Sequence, residues 1–122
     1  MSELIVIGKQ FKVEKFINKV NKKVFEILYF DELASAYKKL LSNNLKVLVL
    51  DVDNGNFLNY RNILKSNGFH NKLSIVALTV DDSLENIRNL KESNINEIVI
   101  KPVDKSRFNK ILLNIIDQRM LI

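Results

Sequence analysis

The chain contains no cysteine, which excludes a disulfide framework, a thiol nucleophile and a thiolate zinc site. Histidine occurs once, as His70, close to Gly68 and Asn71. A lone histidine in such a polar stretch reads as a loop residue. It leaves no metal cluster and no Ser/His/Asp set for acyl transfer. Glycine is scarce, with 3 in 122 residues. No GxGxxG follows the first apolar run and no GxxxxGK[ST] occurs, so dinucleotide and nucleotide-triphosphate sites are unsupported. No apolar run approaches the roughly 18 residues of a membrane span. Met1-Ser2-Glu3-Leu4 lacks the basic segment and long apolar stretch of a signal peptide. These absences point to a cytoplasmic protein without a membrane partner.

What is present is ordinary for a folded soluble domain: 47% hydrophobic and 27% charged residues. Isoleucine, leucine, valine and phenylalanine recur along the whole length, which argues against disorder. The length supports one hydrophobic core, hence a single domain over residues 1–122. The formal net charge is +5, which raises the question of nucleic acid or an acidic partner. The densest basic group, Lys12, Lys15, Lys19, Lys22 and Lys23, is interrupted by Glu14. It reads as a solvated helix face, which disfavours nucleic acid.

Five strand-length apolar runs are spaced along the chain: Leu4 to Ile7, Val24 to Phe30, Val47 to Leu50, Ile75 to Leu78 and Ile98 to Ile100. Four are continuous rather than alternating, as expected of parallel strands covered on both faces. The second carries Glu26 and is placed nearer an edge. Between the runs the period becomes helical. Val13, Phe16, Ile17 and Val20 form one stripe. Leu33, Ala36, Tyr37, Leu40 and Leu41 form the next, with Asp31 as the expected N-cap. Phe57, Tyr60 and Leu64 form a weaker third stripe, ended by Asn67-Gly68. Leu84, Ile87 and Leu90 form a fourth, after capping groups in Asp81-Asp82-Ser83. Phe108, Ile111, Leu112, Ile115 and Ile116 form the fifth, after Asp104. Five strand–helix repeats predict an α/β fold, a doubly wound parallel sheet with five helices. In such sheets the ligand site lies beyond the carboxyl ends of the strands.

The residues at those ends are therefore the ones that matter. Gly8 and Lys9 follow the first run, Asp51 the third, Thr79 the fourth, and Lys101-Pro102 the fifth. Over essentially the whole chain this constellation resembles the receiver (CheY-like) domain of bacterial response regulators. The resemblance implies the flavodoxin-like strand order 2-1-3-4-5. It makes Asp51 the phosphoacceptor candidate, and Thr79 and Lys101 the phosphate-pocket candidates. It also implies a magnesium ion held by Asp51 and an acidic pair just after the first strand.

That pair falls on Gly8, which has no ligand atom, and Lys9, which is a cation. Ile98 stands where many receivers have an aromatic residue, and Asn54-Gly55 where a Met-Pro pair is usual. Asp51 between Lys9 and Lys101 gives a net positive pocket. Two opposite charges about 4 Å apart attract by about 4 kcal/mol at an effective dielectric near 20, before desolvation. Lysine rather than magnesium is thus the expected companion of Asp51, and Asp53-Asn54-Gly55 reads as a polar turn.

The expectation is an atypical receiver acting through protein contacts in two-component or phosphorelay signalling. It would not be an enzyme, and would need no metal or cofactor. One alternative is a working receiver phosphorylated on Asp51 with magnesium held near Asp53. The other is a basic domain that binds nucleic acid or small anions. The expected interface, for a protein partner or a second copy, combines the fourth helix (Ser83 to Glu92), the fifth strand and the fifth helix (about Lys105 to Met120). A histidine kinase is a further candidate partner. Leu84, Ile87, Leu90, Ile111, Leu112 and Ile115 are expected to face inward. Glu85, Arg88, Asn89, Glu92, Arg107, Lys110 and Asn114 are expected to face outward.

Overall fold

The computed structural model describes residues 2–8, 11–41, 46–54 and 73–120. Five strands carry the apolar runs: β1 (Ser2–Ile7), β2 (Phe25–Phe30), β3 (Lys46–Asp51), β4 (Leu73–Thr79) and β5 (Glu97–Ile100). All pair in parallel, in the order β2-β1-β3-β4-β5. The strand order reverses between β1 and β3, so the ends of these two strands, at Ile7-Gly8 and Asp51, sit at the switch point. β2, the run carrying Glu26, is an edge strand.

The continuous apolar runs are explained by the pleat, which sends alternate residues to opposite faces. Leu4, Val6, Val47, Val49, Val76, Leu78 and Val99 join one buried cluster with Val13, Ile17, Phe108, Ile111, Leu112, Ile115 and Ile116. Ile5, Ile7, Leu48, Leu50, Leu73, Ile75 and Ala77 join another with Leu33, Ala36, Leu40, Leu90 and Ile95. One face is covered by the first and last helical stretches, the other by the second and fourth.

Four helices lie among the described residues: α1 (Lys19–Val24), α2 (Leu33–Leu40), α3 (Leu84–Glu92) and α4 (Lys105–Met120). The third helical stretch, Phe57 to Gly68, lies outside them. The first stretch is not one helix. A 3-10 turn, Val13–Lys15, precedes α1, whose N-cap Asn18 accepts a hydrogen bond from the Asn21 amide at 2.8 Å. The restart changes the helix phase, so Asn21 is buried and Val20 is 61% exposed, contrary to the stripe. The second N-cap falls on Glu32 rather than Asp31, and its side chain makes no cap bond.

α3 begins as expected, with Ser83 accepting from the Asn86 amide at 3.2 Å. It ends at Asn94 with φ of 65°, where the Ile95 amide reaches back to the Leu90 carbonyl at 3.4 Å. Asparagine tolerates this left-handed conformation. The packed part of α3 is its C-terminal half, with Leu90 buried. Leu84, expected inward, is 80% exposed because it opens the helix beyond the end of β4. α4 starts on Asp104, whose carboxylate accepts from the Arg107 amide at 2.8 Å. Its inward positions match expectation. Among the described residues no helix is long and apolar enough to cross a membrane.

Candidate functional site

The parallel sheet delivers Asp51, Thr79 and Lys101 to one end of the molecule. Asp51 is the last residue of β3, Thr79 is the last of β4, and Lys101 follows β5. The Lys101 amide donates to the Thr79 carbonyl at 2.8 Å, which ties the two strand ends together. Thr79 is buried at 1% exposure. The peptide bond between Lys101 and Pro102 is cis.

The chain leaves β3 through a 3-10 turn, Val52–Asn54. Asp51 shapes this turn, since one of its carboxylate oxygens accepts from the Asp53 amide at 3.0 Å. The turn brings the Asp53 side chain back over the strand ends. Lys101 Nζ lies 2.8 Å from Asp51 Oδ2 and 2.9 Å from Asp53 Oδ2. The Thr79 hydroxyl donates to Asp53 Oδ1 at 2.7 Å, and the Val80 amide donates to Asp53 Oδ2 at 3.0 Å. Each of the four carboxylate oxygens thus accepts at least one hydrogen bond.

The Thr79 oxygen in turn accepts from the Asp81 amide at 3.1 Å and from Asn86 Nδ2 at 3.4 Å. Asn86 also donates to the Asp81 carbonyl at 2.8 Å, and Asp81 accepts from the Ser83 amide at 3.0 Å. The pocket is therefore wired to the start of α3.

Burial pushes the Asp53 carboxyl up, but hydrogen bonds from Lys101, Thr79 and Val80 outweigh it and hold the group below the usual carboxylate range. Burial pushes Lys101 down, but its bonds to Asp51 and Asp53 outweigh that and raise it. Both groups are held in their charged forms. Among the described residues two carboxylates face one ammonium. The net positive pocket expected from sequence counts Lys9 beside Lys101, and Lys9 lies outside the described residues, as do Gly55 and His70.

Gly8 adopts φ of +127°, a conformation that side chains rarely take. A Cβ built there would stand 3.7 Å from the Asp51 Cβ. The glycine, whose amide donates to the Phe30 carbonyl at 3.0 Å, thus shapes the wall beside Asp51. Ile98, by contrast, packs partly buried against the cluster on the α2–α3 face.

No protein-family model matches the chain, and no curated protein matches it significantly. Solved structures do. The chemotaxis response regulator CheY4 of Vibrio cholerae superposes with a TM-score of 0.73 at 14% identity, over 93% of this chain and 98% of that one. A two-component response regulator from Clostridium difficile superposes with a TM-score of 0.70 at 20% identity, over 98% of this chain and 97% of that one.

The chain has the receiver fold. At these identities the likeness speaks for the fold. Within that fold, Asp51, Thr79 and Lys101 converge as their strand-end positions predicted. Asp53 is no mere turn residue: it sits at the centre of the hydrogen-bond network. Val80, Asp81 and Asn86 were missed. The visible signal for Asp53 was two carboxylates with one residue between them at the end of a buried strand. For Asn86 it was its place three residues after the Ser83 cap.

Proposed function

We propose that this receiver-fold chain is a signalling module that works through protein–protein contacts and does not use magnesium-dependent phosphorylation. One observation carries the reading. The Lys101 ammonium lies between Asp51 and Asp53, within 2.9 Å of an oxygen of each. A magnesium ion takes oxygen ligands at about 2.0–2.1 Å in near-octahedral geometry. This donor set does not fit it. The four carboxylate oxygens already accept hydrogen bonds, the ammonium lies between the two carboxylates, and Gly8 offers no side-chain ligand. Phosphoryl transfer depends on positioning and charge neutralisation, and here the Asp51 and Asp53 charges are met by the chain's own Lys101.

The surface available for contacts is the α3–β5–α4 face. A shallow groove there is lined by Leu84, Ile87, Arg88, Lys91 and Glu92. The network from Asp53 through Thr79 to Asn86 ends at the same helix.

Incubation with acetyl phosphate, with and without magnesium, tests the phosphorylation half of the proposal by intact mass. The expected result is an unmodified chain in both. Magnesium-dependent gain of a phosphoryl group that disappears in Asp51→Asn overturns it.

A further inference from the structure

Asp53 receives three chemically different donors on its two oxygens: an ammonium at 2.9 Å, a hydroxyl at 2.7 Å and a backbone amide at 3.0 Å. Such a set, converging from adjacent strand ends, suits a small oxyanion. The donors sit on or next to the sheet: Thr79 is the buried last residue of β4 and lies in register with Ile100, Val80 follows it, and the amide of Lys101 is bonded to the Thr79 carbonyl. The acceptor is held differently. Asp53 belongs to a three-residue turn outside the sheet, and its side chain is 26% exposed at the mouth of the site. Thr79 is thus fixed by the sheet, whereas the carboxylate it meets comes from a turn outside it.

We infer that Asp53 is an internal ligand that fills an oxyanion hole formed by Lys101, Thr79 and Val80, and that it decides which anions the site admits. While Asp53 is seated, the hole is closed to outside anions. Once it is withdrawn, the hole takes a tetrahedral oxyanion of the inorganic phosphate class. The inference rests on the pocket reading given above and deepens it, because a hole filled by the chain itself needs no phosphoryl group to hold Thr79.

Charge sets the order of the expected effects. Among the described residues two carboxylates oppose one ammonium in the wild type, which disfavours an added dianion. Asp53→Ala leaves one carboxylate against one ammonium. Asp51→Asn with Asp53→Ala removes both of the carboxylates that the described residues set against the ammonium. Occupancy is reported at a distance, since the Thr79 oxygen that donates to Asp53 also accepts from Asp81 and Asn86. Removing Asp53 frees the hydroxyl to turn, and a bound phosphate restores its acceptor.

The experiment is a titration of the three labelled proteins with inorganic phosphate, followed by amide chemical shifts at constant ionic strength. The wild type should show no saturable shift at Thr79, Val80 or Lys101. Asp53→Ala should bind at least about tenfold more tightly than the wild type, a factor equivalent to about 1.4 kcal/mol, and the double variant more tightly still. In both variants phosphate should return the Asp81 and Asn86 amides toward their wild-type positions. Saturable binding by the wild type at these residues overturns the inference, as does a folded double variant that ignores phosphate. Should a variant be too unstable for the titration, phosphate must raise its unfolding midpoint by more than it raises that of the wild type, and an equal response also overturns the inference. Failure of the interaction-module reading shows elsewhere, as magnesium-dependent labelling of wild-type Asp51.

Discussion

At the scale of single residues, Lys101 holds the strand-end pocket together, because it is the cation shared by Asp51 and Asp53. Lys101→Met leaves two partly buried carboxylates without their common partner. The expected cost is about 1–2 kcal/mol by urea unfolding near neutral pH. The pH dependence carries the sign. Asp53 is lowered in the fold, so its contribution is present above the ordinary carboxylate value near 3.9 and lost as pH falls through the folded value. Lys101 is raised, so its contribution is present below the ordinary lysine value near 10.4 and lost as pH rises through the folded one. The gap between wild type and variant should be widest from about pH 5 to 9 and narrow at both ends. A gap that stays constant with pH would refute the pairing. Tyr29 gives a second residue-scale test. Burial, and a hydroxyl donated to Glu14, push it up to about 12. Its stabilising share is full below the ordinary tyrosine value near 10 and lost as pH rises toward the folded value. The chain has three tyrosines, and phenolate absorbance should show a last step at high pH that vanishes in Tyr29→Phe. Complete titration near pH 10 in the wild type contradicts this environment.

At the scale of elements, the informative case is the first helical stretch, where the apolar spacing held through Ile17 and then failed. The break is made by asparagines. The Asn18 amide donates to Asn109 Oδ1 at 2.9 Å, and Asn21 Nδ2 donates to the same oxygen at 3.0 Å. Asn109 Nδ2 donates to the Phe16 carbonyl at 2.6 Å and the Lys105 carbonyl at 2.7 Å. One side chain of α4 therefore fixes where the 3-10 turn ends and α1 begins. Reading apolar periodicity assigns polar residues to the surface, so an inward Asn21 was not legible. Its partner lies 88 residues away in sequence, and nothing local signals the pair. Asn109→Ala removes the partners of the Asn18 amide and the Phe16 carbonyl and leaves Asn21 Nδ2 only the main-chain carbonyl of residue 109. We expect a loss of about 2–3 kcal/mol, against less than about 0.5 kcal/mol for the exposed control Asn114→Ala on the same helix. Equal unfolding midpoints for the two variants would remove the interlock from the account.

At the scale of the whole molecule, the sheet was legible because parallel strands buried on both faces leave continuous apolar runs. The position of Asp51, Thr79 and Lys101 followed from the topology alone. Asp53 was not legible as a central residue, because its placement depends on the turn after β3 rather than on a strand end. The exposure of Leu84 depends on where α3 touches the sheet, which a helical period does not specify. That exposure has a consequence for assembly. Leu84 is 80% exposed, Val80 65% and Ile100 37%, and Ile87 is half-buried between them in sequence. Around them Glu85, Arg88, Lys91 and Glu92 on α3, with Arg107 and Lys110 on α4, supply exposed charges of both signs. A face with apolar residues and mixed charges is suited to an isologous contact with a second copy, in which each patch meets its own image. Sedimentation over a range of protein concentrations should therefore show reversible self-association of the wild type. Leu84→Asp, or Arg88→Glu with Lys110→Glu, should weaken it while changing stability by less than about 0.5 kcal/mol per substitution, as expected for solvent-exposed sites. A wild type that remains monomeric at the highest attainable concentration would exclude the second copy as the occupant of this face.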